Sequence, residues 1–174
     1  MDRKGGGLAL IYRNNLKVSR CPVAAFRTFE CAQWKVCIKS LIFYIIGIYR
    51  PPYSSVQPVT LAAFITEFTE FLNNITTGSE SQVFLGDFNI HVDKSQDCYA
   101  NQFQKCLKGS GLVQHVHFPT HTSGHTLDLI ITKKDDKHLK IVDPFPDYYI
   151  SDHCFVTCRI EQMRPPLVRK VITS

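Results

Sequence analysis

Polar residues that could do chemistry stand at the ends of apolar stretches in this sequence. They are Tyr49 with Arg50, Asp87 with Asn89 in "LGDFN", Asp128 in "TLDLII", and the triplet Ser151, Asp152 and His153. The set offers carboxylates, an amide, a phenol hydroxyl and an imidazole. Carboxylate oxygens bind Mg²⁺, which can bridge to phosphate. Together these groups predict hydrolysis of a phosphodiester assisted by a divalent cation.

Asp128 is unusual because Leu127 and Leu129 flank it in an otherwise apolar stretch. A carboxylate there costs free energy unless it accepts hydrogen bonds or pairs with a charge. An Asp–His pair would satisfy it, and would also fix the tautomer of the imidazole and stabilise its protonated form. We therefore predict that His153 lies within hydrogen-bond distance of Asp128 and that the other polar residues converge on the same edge of a sheet.

Each position also has an ordinary structural explanation. Asp87 and Asn89 are common turn formers, and Asp152 can cap a helix or a turn. Asp128 can form a structural ion pair with a nearby Arg or Lys, Tyr49 can be a packing residue, and a His that follows an Asp, such as His153, is commonly just a surface residue. These explanations would all have to hold together to remove the predicted site.

The composition sets limits on the class of protein. The chain has 174 residues, of which 44% are hydrophobic, and this suits one domain with a sizeable core. A net charge of +5 fits a polyanionic partner. The seven cysteines form no Cys-x-x-Cys pair, which predicts free thiols in a reducing compartment. The apolar stretch 41–49 is too short to cross a membrane, so no membrane association is predicted.

Hydrophobic periodicity predicts the elements that position these residues. Leu61, Phe64, Phe68, Phe71 and Leu72 recur at helical spacing between residues 58 and 76. A second, shorter helix is predicted at 99–108. Strands are predicted at 8–13, 29–38, 41–52, 82–87, 126–132 and 153–160, and a short strand or extended piece at 112–118. A long helix between two wholly apolar strands favours a layered α/β fold with buried sheets.

Several of these stretches resemble one known family. "GDFN", "TLDLII" and "SDHCFV" resemble the three late motifs of the endonuclease/exonuclease/phosphatase superfamily, and "GIYRPP" resembles its strand with a phosphate-contacting Tyr. "GGGLALIYRNNL" resembles the early strand in endonuclease domains of non-LTR (LINE-like) retrotransposons. The resemblance extends from Gly5 to about Ile160. It implies a domain at 1–162 followed by a tail or linker at 163–174.

The resemblance implies an α/β (α+β) fold: a four-layered α/β sandwich of two packed mixed sheets with outer helices. It also implies catalytic roles. His153 would be the general base or would bind the scissile phosphate, and Asp128 would orient it. Asp87 would activate water or assist the leaving group. Asn89 would orient the phosphate and Asp87, and Tyr49 would donate a hydrogen bond to a phosphate oxygen.

Binding roles follow from the same resemblance. Asp152 would lie at or beside a bound Mg²⁺ or Mn²⁺, with Ser151 next to it. Thr120, in "FPTHTSGHT", would match a DNA-contacting Thr. The implied partner is DNA, and the implied location is the nucleus.

The sequence departs from the family at its amino end. The family's first strand carries an Asn and its second a Glu that is a principal metal ligand, and both precede the segment that begins here at Gly5. We therefore expect the first strands to be missing, and neither Asp2 nor Glu30 is expected to replace the Glu. Three functions remain open: a retrotransposon-type DNA endonuclease that binds its metal weakly and is impaired, a non-catalytic remnant, or a phosphatase or phosphodiesterase of the same superfamily.

Overall fold

The structure is a computed structural model that describes residues 7–39, 41–55, 58–75, 80–145 and 151–161. The described residues form eight strands and two helices. In chain order these are β1 (Lys17–Cys21), β2 (Glu30–Ile38), β3 (Leu41–Tyr49), α1 (Leu61–Ile75), β4 (Ser81–Asp87), α2 (Cys98–Gly109), β5 (Leu112–Gln114), β6 (Asp128–Lys133), β7 (Leu139–Phe145) and β8 (Phe155–Ile160).

Six strands form one mixed sheet in the order β1-β2-β3-β4-β6-β5. β3 and β4 are parallel, and α1 connects them, whereas the other neighbours are antiparallel. β7 and β8 form a separate two-stranded antiparallel sheet. Because β3 and β4 run in the same direction, both end at the same edge of the large sheet.

One face of the large sheet packs against the two helices. α1 buries Phe64, Phe68, Phe71 and Leu72 on one side, as the helical spacing predicts. They form a cluster of aromatic rings with Phe88 and Phe103. The ring centroid of Phe68 lies 5.8 Å from the ring centroid of each of these two residues. The side chain of Asp97 caps α2 by accepting hydrogen bonds from two backbone N–H groups.

The other face of the large sheet buries a second cluster that includes Val36, Phe43, Val83 and Ile130. Leu139, Val156 and Ile160 of the small sheet pack against this cluster. The described residues therefore form three layers: helices, a six-stranded sheet and a two-stranded sheet. This arrangement agrees with the sandwich fold expected from the sequence, although the second sheet is a single antiparallel pair and not a mixed sheet.

Two elements differ from the prediction. Residues 8–13 form no strand, and the strand lies instead at Lys17–Cys21. Ile11 is 96% exposed, so the apolar composition of this segment does not reflect burial in the sheet. β7 was not predicted, because Asp143 and Pro144 interrupt its apolar pattern.

Other predictions concern the chain as a whole. All seven cysteines are free thiols, as predicted. Among the described residues, no helix is long and apolar enough to span a membrane. The predicted tail at 163–174 and the domain boundary at residue 162 lie outside the described residues.

Candidate active site

Four polar residues form a row across the edge of the large sheet. Glu30 of β2 lies opposite Tyr49 of β3, Tyr49 lies opposite Asp87 of β4, and Asp87 lies opposite Asp128 of β6. Residues directly opposite each other on neighbouring strands point to the same face. The strand register therefore brings two carboxylates and a phenol side by side, and it adds Glu30, which the sequence analysis set aside.

Asp128 and His153 form the hydrogen bond that the sequence predicts. Nδ1–H of His153 donates to Oδ2 of Asp128 across 2.7 Å, and the two side chains are 28% and 23% exposed. Burial alone would lower the pKa of His153, but the hydrogen bond and negative charge of Asp128 outweigh it and raise the pKa above its usual value. Because Nδ1 is engaged, Nε2 of His153 is the nitrogen left for chemistry.

Asp87 and Asn89 are joined by two hydrogen bonds. The backbone N–H of Asn89 donates to Oδ1 of Asp87 at 2.9 Å, and its side-chain amide donates to Oδ2 at 2.7 Å. Burial nevertheless raises the pKa of Asp87 to about 6, and the nearby charge of Asp128 adds to this. Because its pKa is near 6, Asp87 can exchange a proton near neutral pH. Asn89 itself adopts a left-handed backbone with φ 50°, which Asn tolerates better than most residues.

Arg50 holds the loop after Asp87 in place, a role that sequence analysis missed. Its guanidinium is buried and donates to the carbonyls of Phe88 at 2.7 Å and Asn89 at 2.8 Å. The amide of Asn89 returns a hydrogen bond to the carbonyl of Arg50 at 2.9 Å. A charged residue immediately after an apolar strand was the available signal, but only the fold shows which groups it contacts.

Thr120 fixes the backbone of Asp128 through hydrogen bonds. Its side chain is fully buried, and Oγ1 accepts hydrogen bonds from the backbone N–H groups of Leu127 and Asp128 at 2.9 and 3.0 Å. The family resemblance implied that Thr120 contacts DNA. That contact stays a prediction, and the complete burial of Thr120 does not favour it.

Asp152 and Ser151 lie beside His153 on the chain. The side chain of Asp152 is 66% exposed and accepts a hydrogen bond from Nε2–H of His121 at 3.2 Å. This hydrogen bond lowers the pKa of Asp152, so the carboxylate is ionised at neutral pH. Oγ of Ser151 accepts the backbone N–H of His153 at 3.1 Å and so shapes the turn.

His121 is a second imidazole at the site that sequence analysis did not single out. Its ring meets that of His153 edge to face, with centroids 4.8 Å apart, and the two residues form an isolated β-bridge. "PTHTSGHT" precedes "LDLII" directly, so its position was visible, but its contact with Asp152 depends on the fold.

The side chains at this site differ in how well they suit a divalent cation. An ionised and exposed carboxylate such as Asp152 suits Mg²⁺, which binds oxygen ligands and retains water. Within the described residues, one group of three or more potential ligands lies close enough to share an ion, and it consists of His121, Asp152 and His153. Asp152 is the one oxygen ligand in this group and by itself suits Mg²⁺, whereas the two imidazoles do not add oxygen ligands; Asp87 and Glu30 do not belong to the group.

The fold and this arrangement of residues define a class of protein. The family match over residues 43–157 shows that this chain belongs to the endonuclease/exonuclease/phosphatase superfamily, and its layered α/β sandwich is consistent with that fold. Residues 43–157 match the family described as "Endonuclease-reverse transcriptase" within it. No curated protein matches the sequence significantly.

Solved structures show the same fold. The endonuclease domain of TRAS1, a telomere-specific non-LTR retrotransposon, superposes with a TM-score of 0.68 at 16% identity, over 86% of this chain and 69% of that domain. AP endonuclease LMAP from Leishmania major gives 0.61 at 14% identity, over 76% of this chain and 55% of LMAP. A beta toxin variant from Staphylococcus aureus with bound magnesium ions gives 0.52 at 14% identity, over 76% of this chain and 58% of the toxin. The chain thus spans little more than half the length of the last two.

Proposed function

We propose that this chain is a metal-dependent DNA endonuclease domain of the non-LTR retrotransposon type, spanning residues 1–162. The observation that carries the proposal is the 2.7 Å hydrogen bond between His153 and Asp128, with Asp87 directly opposite Asp128 on the neighbouring strand. The resemblance to the TRAS1 domain and the net charge of +5 support DNA as the substrate.

His153 acts at the scissile phosphate through Nε2. It accepts a proton from the attacking water or, when protonated, binds the phosphate. Asp128 keeps the proton on Nδ1 and stabilises the imidazolium, which is what a carboxylate does for a catalytic imidazole. The raised pKa of His153 favours proton uptake near neutral pH.

Asp87 supplies a second group that can take up or release a proton. With a pKa of about 6 it activates water or protonates the leaving group. Asn89 keeps the carboxylate of Asp87 oriented through two hydrogen bonds and has an amide that can orient the phosphate. Tyr49, opposite Asp87 in the row, donates a hydrogen bond from its hydroxyl to a phosphate oxygen. The raised pKa of Tyr49 keeps the hydroxyl protonated.

Asp152 would hold Mg²⁺ or Mn²⁺, with Ser151 beside it. The cation, when bound, neutralises charge that develops on the phosphate. Mg²⁺ is commonly held by one or two carboxylates together with substrate phosphates. Because Asp152 is a single exposed carboxylate, we propose that this chain binds the cation weakly without DNA and nicks DNA slowly.

The proposal is tested by incubating the full chain with supercoiled plasmid and Mg²⁺. We expect slow conversion to the nicked circle, which stops on chelation of the metal and on substitution of His153→Ala. His117→Ala is the matched control, because this imidazole is exposed and lies outside the site. Nicking that survives His153→Ala would refute the proposed mechanism, and a complete lack of nicking would favour the non-catalytic remnant.

A further inference from the structure

Two imidazoles and a carboxylate meet beside the Asp128–His153 pair. The potential ligand atoms of His121, Asp152 and His153 all lie within 4.8 Å of one another. Nε2 of His121 and Oδ2 of Asp152 are 3.2 Å apart. Two ligands of a tetrahedral zinc ion, each about 2.0 Å from the metal, are separated by roughly 3.3 Å. The separation in the structure, where Nε2–H of His121 donates to Asp152, therefore matches one edge of a zinc site in which the metal replaces that proton.

The backbone holds the two ligand-bearing segments together. The N–H of Thr122 donates to the carbonyl of Asp152, and the N–H of Cys154 donates to the carbonyl of Thr120, each across 2.8 Å. These bonds place His121 opposite His153 in an antiparallel bridge. The three side chains are thus positioned by the fold and do not meet by chance on a mobile surface.

Each imidazole also has a partner on its other nitrogen. Nδ1–H of His153 donates to Asp128, and Nδ1 of His121 lies 2.6 Å from Oγ of Ser123. Histidines that bind metals through Nε2 typically donate Nδ1–H to a carboxylate or another oxygen, which fixes the ring and raises its basicity. The backbone N–H of Ser123 also donates to Nδ1 of His121 at 3.0 Å, so the proton of this imidazole lies on Nε2. Metal binding at Nε2 displaces that proton to Nδ1, where the Ser123 hydroxyl can accept it in place of the backbone contact. His153 therefore already has the oxygen partner of a metal-binding imidazole, and His121 gains one when the metal binds.

We propose that His121, Asp152 and His153 form a site for a transition-metal ion such as Zn²⁺, with Nε2 of each imidazole and the carboxylate as ligands. Imidazole nitrogen suits Zn²⁺, whereas Mg²⁺ prefers oxygen ligands. Bound zinc occupies Nε2 of His153, the atom that the proposed hydrolysis uses. The consequence, which rests on the proposed function, is that Zn²⁺ inhibits nicking even when Mg²⁺ is in excess.

The site is tested by zinc binding in the absence of DNA. We expect imidazole NMR signals of His121 and His153 to shift together as one Zn²⁺ binds per chain. Competition with a chromogenic chelator should show that His121→Ala weakens binding about tenfold or more. Asp152→Asn provides a second variant, because this exposed side chain can change without disturbing the core. His117→Ala should bind zinc like the original chain.

Following the imidazole signals separates this site from zinc bound to the seven free cysteines. Unchanged His121 and His153 signals at saturating zinc, or equal affinity in the original chain and both site variants, would overturn the proposal. Because binding is measured without DNA, an absence of nicking would refute the proposed function and leave the zinc site standing. Full nicking activity with zinc bound at these histidines would overturn the inhibitory role.

Discussion

Nδ1 of His153 and Oδ2 of Asp128 lie 2.7 Å apart although 25 residues separate them along the chain. The contact depends on two different sheets, because Asp128 begins β6 of the large sheet and His153 directly precedes the β8 region of the small one. The backbone hydrogen bonds that join residues 120 and 122 to Cys154 and Asp152 hold the segment with His153 beside the start of β6. Substitution of Asp128 or His153 is expected to change the protonation of this pair more than it changes the fold.

Asp128→Asn is expected to lower the pKa of His153. The substitution removes the charge and weakens the hydrogen bond that raise this pKa, and leaves the burial that lowers it. An NMR titration of the imidazole measures the change. Asp93→Asn is the matched control, since Asp93 pairs with His125 at 2.9 Å. An unchanged His153 pKa in Asp128→Asn would contradict the assigned coupling.

Asp87 is expected to make the protein less stable as the pH rises from about 4 to about 6. Its pKa is about 6 in the folded chain against a usual value of 3.8, so the folded state binds more protons than the unfolded state between these values. Each pKa unit corresponds to about 1.4 kcal/mol, so this one group should lower the free energy of unfolding by about 2–3 kcal/mol over the interval. Urea unfolding at pH 4 and pH 7 measures it.

The comparison that isolates Asp87 uses Asp87→Asn. Other carboxylates also titrate in this range, but they do so in both proteins. The free energy of unfolding at pH 7 minus that at pH 4 should therefore be higher in Asp87→Asn than in the original chain, because the loss that Asp87 causes is absent. An identical pH dependence in the two proteins would show that burial does not raise this pKa.

Gly86→Ala is expected to destabilise the protein strongly. Gly86 has φ +137°, and an added Cβ would lie 1.9 Å from the backbone carbonyl oxygen of Ile48 on the neighbouring strand. Because backbone atoms cannot move aside without separating β3 from β4, we expect a loss of about 3 kcal/mol or more in the free energy of unfolding.

The control for Gly86→Ala is Gly109→Ala. A Cβ at Gly109 meets no atom within 4 Å, and Gly109 ends α2. The control should leave the free energy of unfolding nearly unchanged or raise it, because Ala favours a helix more than Gly does. Equal effects of the two substitutions in chemical unfolding would disprove the close contact between the strands.

Arg50→Met is expected to lower the free energy of unfolding by about 2–4 kcal/mol, because the buried carbonyl of Phe88 and the partly buried carbonyl of Asn89 lose charged donors. Arg50→Lys should recover only part of this, since one ammonium cannot reproduce the fork that reaches both Phe88 and Asn89. Thermal unfolding of both variants measures the difference. Arg20→Met, at an exposed position, is the control. If Arg50→Lys were as stable as the original chain, the two hydrogen bonds from the guanidinium to Phe88 and Asn89 would not contribute to stability.

Local patterns in the sequence were enough to predict much of this protein. The spacing of Phe64, Phe68 and Phe71 predicted α1, because a helix presents every third or fourth residue on one face. The wholly apolar stretch 41–49 predicted a strand covered on both faces. The candidate catalytic residues were found because ionisable side chains at the ends of buried strands are costly without a partner.

Tertiary structure decided the features that depend on residues far apart in the chain. Strand register placed Glu30 in the row with Tyr49 and Asp87, although the sequence analysis had set Glu30 aside. It also left residues 8–13 outside any strand, because an apolar segment becomes a strand only when another strand pairs with it. The contact of His121 with Asp152 and the burial of Thr120 likewise arise from packing between distant segments, which no local spacing encodes.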